Sequence, residues 1–563
     1  MCGIFGIISK KNIIKTKFNQ SLRLIKHRGP DNESSIFETL NSKNIALGHT
    51  RLSIIDLSEK ANQPLSIGKY TIIFNGEIYN YKTLKLKLEK EGVVFKTESD
   101  TETIIQSYIK YGIKTTVKNL NGMFAFAILD RKKGKLILAR DRIGIKPLYF
   151  FINSENFVFS SELKSIREIS TNKFVIDINS IANYFFHKYV SEPTTIFEEI
   201  SALNPGYIAE FDIKNFSFNT IQYWKLEKSS KQKDETKVLN DIDEILNRSL
   251  SEHLISDVPI SFAFSGGLDS SLLIAMAKQY KKDIVGFTIK RNENDIDWIY
   301  SLKIAKFLKI DHLITNFEDL NLTGKDVNIY KIYDQPIGCS SIYSTYLLYK
   351  TISKKFKVCI SGDGGDEIFG GYSWYQYFLD MKNMPLDALM NKNRLKHFIN
   401  NKFFSSFNDI KNYKDIMLNR YSKKDVIELL DDNFEVDETS MYEQYIDKIN
   451  SIQDMQYVDF FTFLRFALKR TDFSSMAHSV ENRVPFLDHR LVEYAFSIDP
   501  KLVYKDGELK YLLKKLAERY LPKEFIYRPK KGFSAPLGNI LPISSAKESM
   551  HFIFNKWKYY HNQ

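Results

Sequence analysis

The apolar positions change rhythm along the chain. Before residue 226 they come in short runs, KYTIIFNG, MFAFAILD, KLILARD and NFVFSSEL, which predict strands. Two stretches carry a helical period instead. In YNYKTLKLKLEKEG, Tyr81, Leu84 and Leu88 fall on one face and a glycine closes the pattern. In TETIIQSYIKYG, Ile104, Ile105, Tyr108 and Ile109 do the same. The mixture predicts an α+β domain with sheet-rich layers. LEKSSKQKDETK, residues 226–237, is charged and has no apolar period, so it reads as a connection. Beyond it, PISFAF, DIVGFTI and KVCISG are continuous apolar runs separated by helical segments. Strands buried on both faces and alternating with helices predict a parallel α/β sheet. Residues from about 375 to 460 are rich in Asn, Lys, Phe and Tyr and read as helical, without separable elements. The expected division is a first domain over 2–210, a linker over 211–237 and a second domain over 238–563.

Composition changes this picture little. A chain of 563 residues calls for two or three cores. Its three cysteines, Cys2, Cys339 and Cys359, are too few and too scattered for a disulfide framework, which predicts a reducing compartment, the cytoplasm. No CxxC or Cys/His cluster suggests zinc. The short apolar stretch at the start has no basic region before it, and it does not read as a secretion signal. No apolar run approaches the roughly 20 residues of a membrane span. The net charge of +12 comes from lysines spread among asparagines and isoleucines, as on a solvated surface. A nucleic-acid-binding protein would gather that charge on one face or tail. Neither nucleic acid nor a membrane is an expected partner.

Two stretches of the second half carry phosphate chemistry. FAFSGGLDSSLLIAMAKQ reads as strand, tight loop and helix. Gly266 and Gly267 allow close backbone approach, and Ser265, Ser270 and Ser271 add hydroxyls. The loop opens on a helix N-terminus, where free N–H groups favour an anion. Asp269 would repel a bare phosphate, so a divalent cation is expected between them. VCISGDGGDEIFGGY supplies a second Gly- and acid-rich loop, in which Asp363, Asp366 and Glu367 are candidates for holding magnesium or acting as bases. Two such loops at the ends of neighbouring parallel strands would face one crevice. The GxxxxGK[ST] phosphate loop is absent.

SGGLDSS resembles the pyrophosphate loop of enzymes that split ATP to AMP and pyrophosphate. SGDGGDEIFGGY, MAHSVENRVPFLDHRLVEYA and RPKKGF, with HRGPD, GHTRLSIIDL, FNGEIYN and ARDRIGIKPLYF from the first half, resemble glutamine-hydrolysing asparagine synthetase in order and spacing. The resemblance implies an N-terminal-nucleophile hydrolase-like αββα sandwich followed by an α/β ATP pyrophosphatase domain. It implies that Met1 is removed and that Cys2 is the nucleophile, its free α-amine serving as base. A substrate pocket for glutamine is implied at Arg51, Leu52, Ser53, Ile54, Ile55, Glu77 and Asp100. There the Arg51 fork suits the α-carboxylate and Asp100 the ammonium, and Asn75 and Gly76 form an oxyanion hole. His27 is read as structural. Phe264, Ser265, Gly266, Gly267, Ser270, Ile289, Ser361 and Gly362 match ATP-binding positions, and Asp269 and Asp366 match the magnesium–pyrophosphate carboxylates. Lys510, with Lys514 and Lys515 close by, matches a lysine that stabilises charge in the transition state. Many members have glutamate where Asp363 stands here, which leaves the aspartate's catalytic part open. The implied co-substrates are ATP with Mg2+, glutamine and aspartate, or another small carboxylic acid such as a sugar uronate. A dry passage for ammonia and a homodimer are further expectations. Residues 334–341 and 479–488 are candidate acceptor segments. Within the latter, Arg483 either clamps an acceptor carboxylate or pairs with Glu481 or Asp488 to support the loop.

Overall fold

A computed structural model describes residues 2–170, 173–321, 329–383, 421, 423–430, 435, 444–445, 449–528 and 545–561. Most of the Asn- and Lys-rich stretch, and RPKKGF beyond Arg528, lie outside the described residues.

Among the described residues, twelve strands build the first half. They are β1 (Gly3–Ser9), β2 (Asn32–Leu40), β3 (Lys43–Arg51), β4 (Leu65–Ile67), β5 (Tyr70–Ile78), β6 (Gly122–Asp130), β7 (Lys135–Arg140), β8 (Tyr149–Ile152), β9 (Asn156–Ser160), β10 (Ile200–Ala202), β11 (Tyr207–Asp212) and β12 (Ser217–Gln222). They form two six-stranded sheets, ordered β10-β8-β9-β1-β3-β2 and β12-β11-β7-β6-β5-β4, and the strand pairs are antiparallel. The side-chain period of two explains how they stack. On β1, Ile4 and Ile8 join Ile73, Ala125, Ala127 and Leu138 of the other sheet in one core. Phe5 and Ile7 point the opposite way, to Phe18 and Leu22 of the helix Lys15–Arg23. The second sheet turns Phe74, Phe126 and Ile128 towards the helix Asp100–Tyr111, whose Ile104, Ile105 and Tyr108 are buried. The layers are therefore helix, sheet, sheet, helix. Each aliphatic side chain buried in these layers contributes about 2 kcal/mol.

The expected linker over 211–237 is corrected in its first part. β12 pairs with β11, Phe211 opposite Phe218, and the Phe218 ring packs 4.8 Å from Phe150. Phe218 and Ile221 are less exposed than their neighbours, and the antiparallel register from Tyr207 opposite Gln222 to Asp212 opposite Ser217 completes a hairpin. The irregular connection is shorter, from about 223 to 234. It is strapped to the second half by Ser229 N–H to Phe496 O, 2.9 Å, and Asp234 then caps the helix Glu235–His253.

The second half contains a parallel sheet of β13 (Ile260–Ala263), β14 (Val285–Lys290), β15 (Asp311–Asn316), β16 (Val358–Ile360) and β17 (Glu481–Arg483), in the order β15-β14-β13-β16-β17. The chain leaves central β13 to build one side and returns to β16 to build the other. The loops after β13 and β16 thus open side by side at the switch point, where such sheets bind ligands. Among the described residues, no helix is long and apolar enough to cross a membrane.

Candidate functional site

Two centres emerge, one in each half. Cys2 precedes β1, which is clamped between β3 and β9, so sheet pairing fixes the position of the thiol. The residue is buried. Its backbone N–H donates to Asn75 Oδ1 at 3.1 Å, and its carbonyl accepts from Arg28 Nε at 3.1 Å. Burial pushes the thiol up in pKa, while the Leu52 backbone N–H and the Arg51 charge pull it back. Asn75 sits on β5 with its Oδ1 engaged, yet its Nδ2 is buried without a partner among the described residues. An amide donor left free beside a buried thiol is suited to an oxygen that gains charge during attack. Next to it, Gly76 has φ +153°, and a Cβ there would lie 2.0 Å from Met123 O. Only glycine fits.

The residues expected to form a glutamine pocket are less uniform. Arg51 ends β3, and its fork is spent on the chain: Ser58 O and Asn62 Oδ1 at 2.8 Å each, Ile55 O at 3.4 Å, and Asp56 O. In this geometry it shapes residues 52–62. Leu52, Ile54 and Ile55 are buried, and Ser53 N–H donates to Asp31 of HRGPD at 2.8 Å. Asp100 opens its helix, accepts from Ile78 N–H at 3.0 Å, and is pushed up to about 6 by burial. Burial also raises the Glu77 carboxyl, against the pull of Arg483 at 3.0 Å.

In the second centre, Gly266 has φ +66°, and a Cβ there would meet Asp297 O and Ser301 N at 2.6 Å. Gly267 is the N-cap of the helix Leu268–Ala277 without a side-chain cap, which leaves that end to a ligand. Ser265 Oγ lies 3.2 Å from Ser270 Oγ. Phe264 is buried and donates its N–H to Phe287 O at 2.7 Å, while Ile289 lies in β14, paired with Thr315. From the other loop, Ser361 Oγ donates to Asp363 Oδ2 at 2.8 Å, and a Cβ on Gly362 would lie 2.9 Å from Asp269 Cβ. The loops touch only because glycine is there. Lys510 joins them. Buried at 5% exposure, its ammonium lies 2.5 Å from Asp269 and 2.7 Å from Asp366. The two carboxylates raise its pKa despite burial. Lys514 and Lys515 pair instead with Glu508 and Glu518. Glu367 turns away to Tyr372, 2.6 Å, and burial, then the Asp366 charge, push it up to about 8.

Sequence reasoning missed the charged layer between the centres. Arg28, fully buried, bonds Glu162 and Asp472 at 2.8 Å each besides the Cys2 carbonyl. Lys146 reaches Asp472 at 3.4 Å. On the same helix, Phe463–Met476, Arg470 lies 3.8 Å from Asp363 and donates to Ser341 Oγ at 3.0 Å. Arg483 binds Glu481 at 2.7 Å, Glu77, and the carbonyls of His253 and Ile255. Its supporting role is therefore observed, and its role as an acceptor clamp is not. The only sequence signal was the presence of Arg28 in HRGPD and of Asp472 just before MAHS.

A glutamine amidotransferase domain model matches residues 1–224, and an asparagine synthase model matches residues 241–561. Over 95% of the chain, 32% of residues are identical to glutamine-hydrolysing asparagine synthetase 1 of Bacillus subtilis, 87% of which is covered. Over 66% of the chain, 34% are identical to a putative asparagine synthetase of Methanocaldococcus jannaschii, covered to 76%. The asparagine synthetase of Rattus norvegicus is 27% identical over 95% of the chain and 84% of its own length.

Proposed function

Because the chain belongs to the glutamine-hydrolysing asparagine synthetase family, we propose that it converts aspartate to asparagine with ATP, taking ammonia from glutamine. The observation that carries the reading is the pair of centres at the two ends of one charged layer: Cys2 against Asn75, and Lys510 between Asp269 and Asp366.

In the first centre the Cys2 thiol passes its proton to the α-amine freed by loss of Met1, and sulfur attacks the glutamine carboxamide carbon. Asn75 Nδ2 and the Gly76 N–H receive the oxyanion. Ammonia leaves, and water hydrolyses the thioester to glutamate. The ionised Asp100 holds the substrate ammonium, and Arg51 supports the wall of the pocket and draws the α-carboxylate by its charge.

In the second centre the helix start at Gly267 and the serines hold the triphosphate. Asp269 and Asp366 fit a magnesium ion, since two carboxylates already converge on one cation and the nucleotide supplies further oxygens; when bound, the ion neutralises the leaving pyrophosphate. The acceptor carboxylate attacks the α-phosphorus, pyrophosphate departs, and an acyl-adenylate forms. Lys510 stays beside the charge that develops. Ammonia then attacks the acyl carbon and AMP leaves. Asp363, held by Ser361 and facing Arg470, orients the acceptor.

The test supplies ATP, glutamine labelled in the amide nitrogen, and either aspartate or a panel of uronates and other small acids. Labelled asparagine, AMP and pyrophosphate formed with aspartate support the proposal. Turnover of a sugar acid and none of aspartate transfers the activity to that acceptor. Mass analysis of the active protein should find Met1 absent.

A further inference from the structure

The Asn75 amide stands at an unfinished sheet edge. β4 pairs with β5 only from Ile67 opposite Tyr70 to Leu65 opposite Ile72. Carried further, that register would put Gln63 opposite Phe74, the residue before Asn75, but the chain has already left the sheet there. On its other side β5 is paired throughout by β6, with Phe126 opposite Phe74 and Ala125 opposite Asn75. Beyond the end of β4 the buried backbone of Phe74 must find its partners elsewhere.

Two side chains supply them. Gln63 Oε1 accepts from Phe74 N–H at 2.6 Å, and His49 Nε2 lies 3.0 Å from Phe74 O. A carbonyl only accepts, so His49 carries its proton on Nε2. His49 lies fully buried on β3, in the facing sheet. Burial pushes its pKa down to about 3, against the pull of the Phe74 bond, so the ring stays neutral. Its Nδ1 has no partner among the described residues. Gln63 does more than close the edge. Its Nε2 donates to Thr101 Oγ1 at 3.1 Å, in the first turn of the helix Asp100–Tyr111. The same helix start meets β5 again where Asp100 accepts from Ile78 N–H at 3.0 Å. Asn75, Gly76 and Glu77 lie between these two anchors.

We infer, on the proposed roles of Cys2, Asn75 and Asp100, that Gln63 and His49 are positioning residues for glutamine hydrolysis. Together they fix the backbone that carries the Asn75 donor, and Gln63 also sets the separation of that donor from Asp100. A donor serves a developing oxyanion only from one spot, and a misplacement of about 1 Å can cost a hundredfold. His49 acts on the donor alone, so it governs kcat. Gln63 reaches both groups, so it governs kcat and KM together.

Glutaminase kinetics of the full chain test the two roles. Gln63→Met and His49→Leu should each lower kcat about tenfold or more, and only Gln63→Met should also raise KM for glutamine. His49→Gln, whose amide can still donate to Phe74 O, should recover most of the loss. Thr101→Val, a milder change that cuts only the link to the Asp100 helix, should raise KM and spare kcat. In an Asn75→Ala background, His49→Leu should change kcat by less than about twofold, because no donor is left to position. Ammonium-dependent synthesis and a thermal melt like those of the parent protein verify that the variants fold. An unchanged kcat in both Gln63→Met and His49→Leu would overturn the assignment and leave the glutamine centre standing. So would a loss as large in the Asn75→Ala background as in the parent. A parent protein that hydrolyses no glutamine would overturn the centre itself, and the positioning roles with it.

Discussion

The two centres hold their working groups by different means. At Cys2 the groups are neutral, and sheet pairing sets them in place: β1 carries the thiol, β5 the amide, and a free Nδ2 waits with no rearrangement required. At Lys510 the groups are charged and lie on loops beyond strand ends, where they neutralise one another as Asp269–Lys510–Asp366. The first arrangement costs nothing to engage. On the proposed function the second must reorganise, because a nucleotide with its metal would replace an ion pair already made. The proposed glutamine centre is thus built in advance, and the proposed ATP centre would be completed by its ligand.

Three substitutions break this comparison at chosen points. Cys2→Ala should lower glutamine-dependent synthesis more than about 10⁴-fold and leave ammonium-dependent synthesis intact, measured as asparagine formed from each nitrogen source. Next, Asn75→Ala should cost about 10² to 10³ in glutaminase kcat, with little change in ATP-driven steps, because it removes a preorganised donor. Asp269→Asn should cost synthesis about a hundredfold and spare glutaminase, followed as pyrophosphate and glutamate release. Equal loss of both activities in Asp269→Asn would mean that the two centres are not separable.

The sequence announced the contents of each centre more fully than the connection between them. SGGLDSS, SGDGGDE and FNGEIYN are local strings whose glycines are dictated by close approaches, and local strings can be read. The two sheets are foreseeable in kind from their apolar runs, although β12 reads as part of a linker because its residues are mostly polar and do not alternate. The charged layer was not foreseeable. Arg28 meets Asp472 across 444 positions, and Glu77 meets Arg483 across 406. No periodicity or propensity encodes such pairings. They arise when two independently legible domains are pressed together and their charges must be satisfied.

A smaller effect sharpens the picture of the first centre. Asp100 is held at about 6, above its ordinary value, by burial. A raised carboxyl binds a proton as pH falls through the folded-state value, so below pH 6 the ion pair proposed with the glutamine ammonium would be lost. KM for glutamine should rise about fivefold from pH 6 to pH 5, while kcat for ammonium-dependent synthesis does not share the step. Folding stability carries the opposite signature. The unfolded carboxyl ionises near 4 and the folded one near 6, so stability falls as pH rises across that window. Asp100→Asn should abolish both steps.

The most direct test of the account follows the oxygen atoms. Aspartate labelled with ¹⁸O in its side-chain carboxylate is supplied with ATP and glutamine, and the nucleotide and phosphate products are analysed by mass. Activation through an acyl-adenylate requires one labelled oxygen in AMP for each asparagine formed and none in pyrophosphate. Label in inorganic phosphate, with ADP as the nucleotide product, would contradict the account of the second centre.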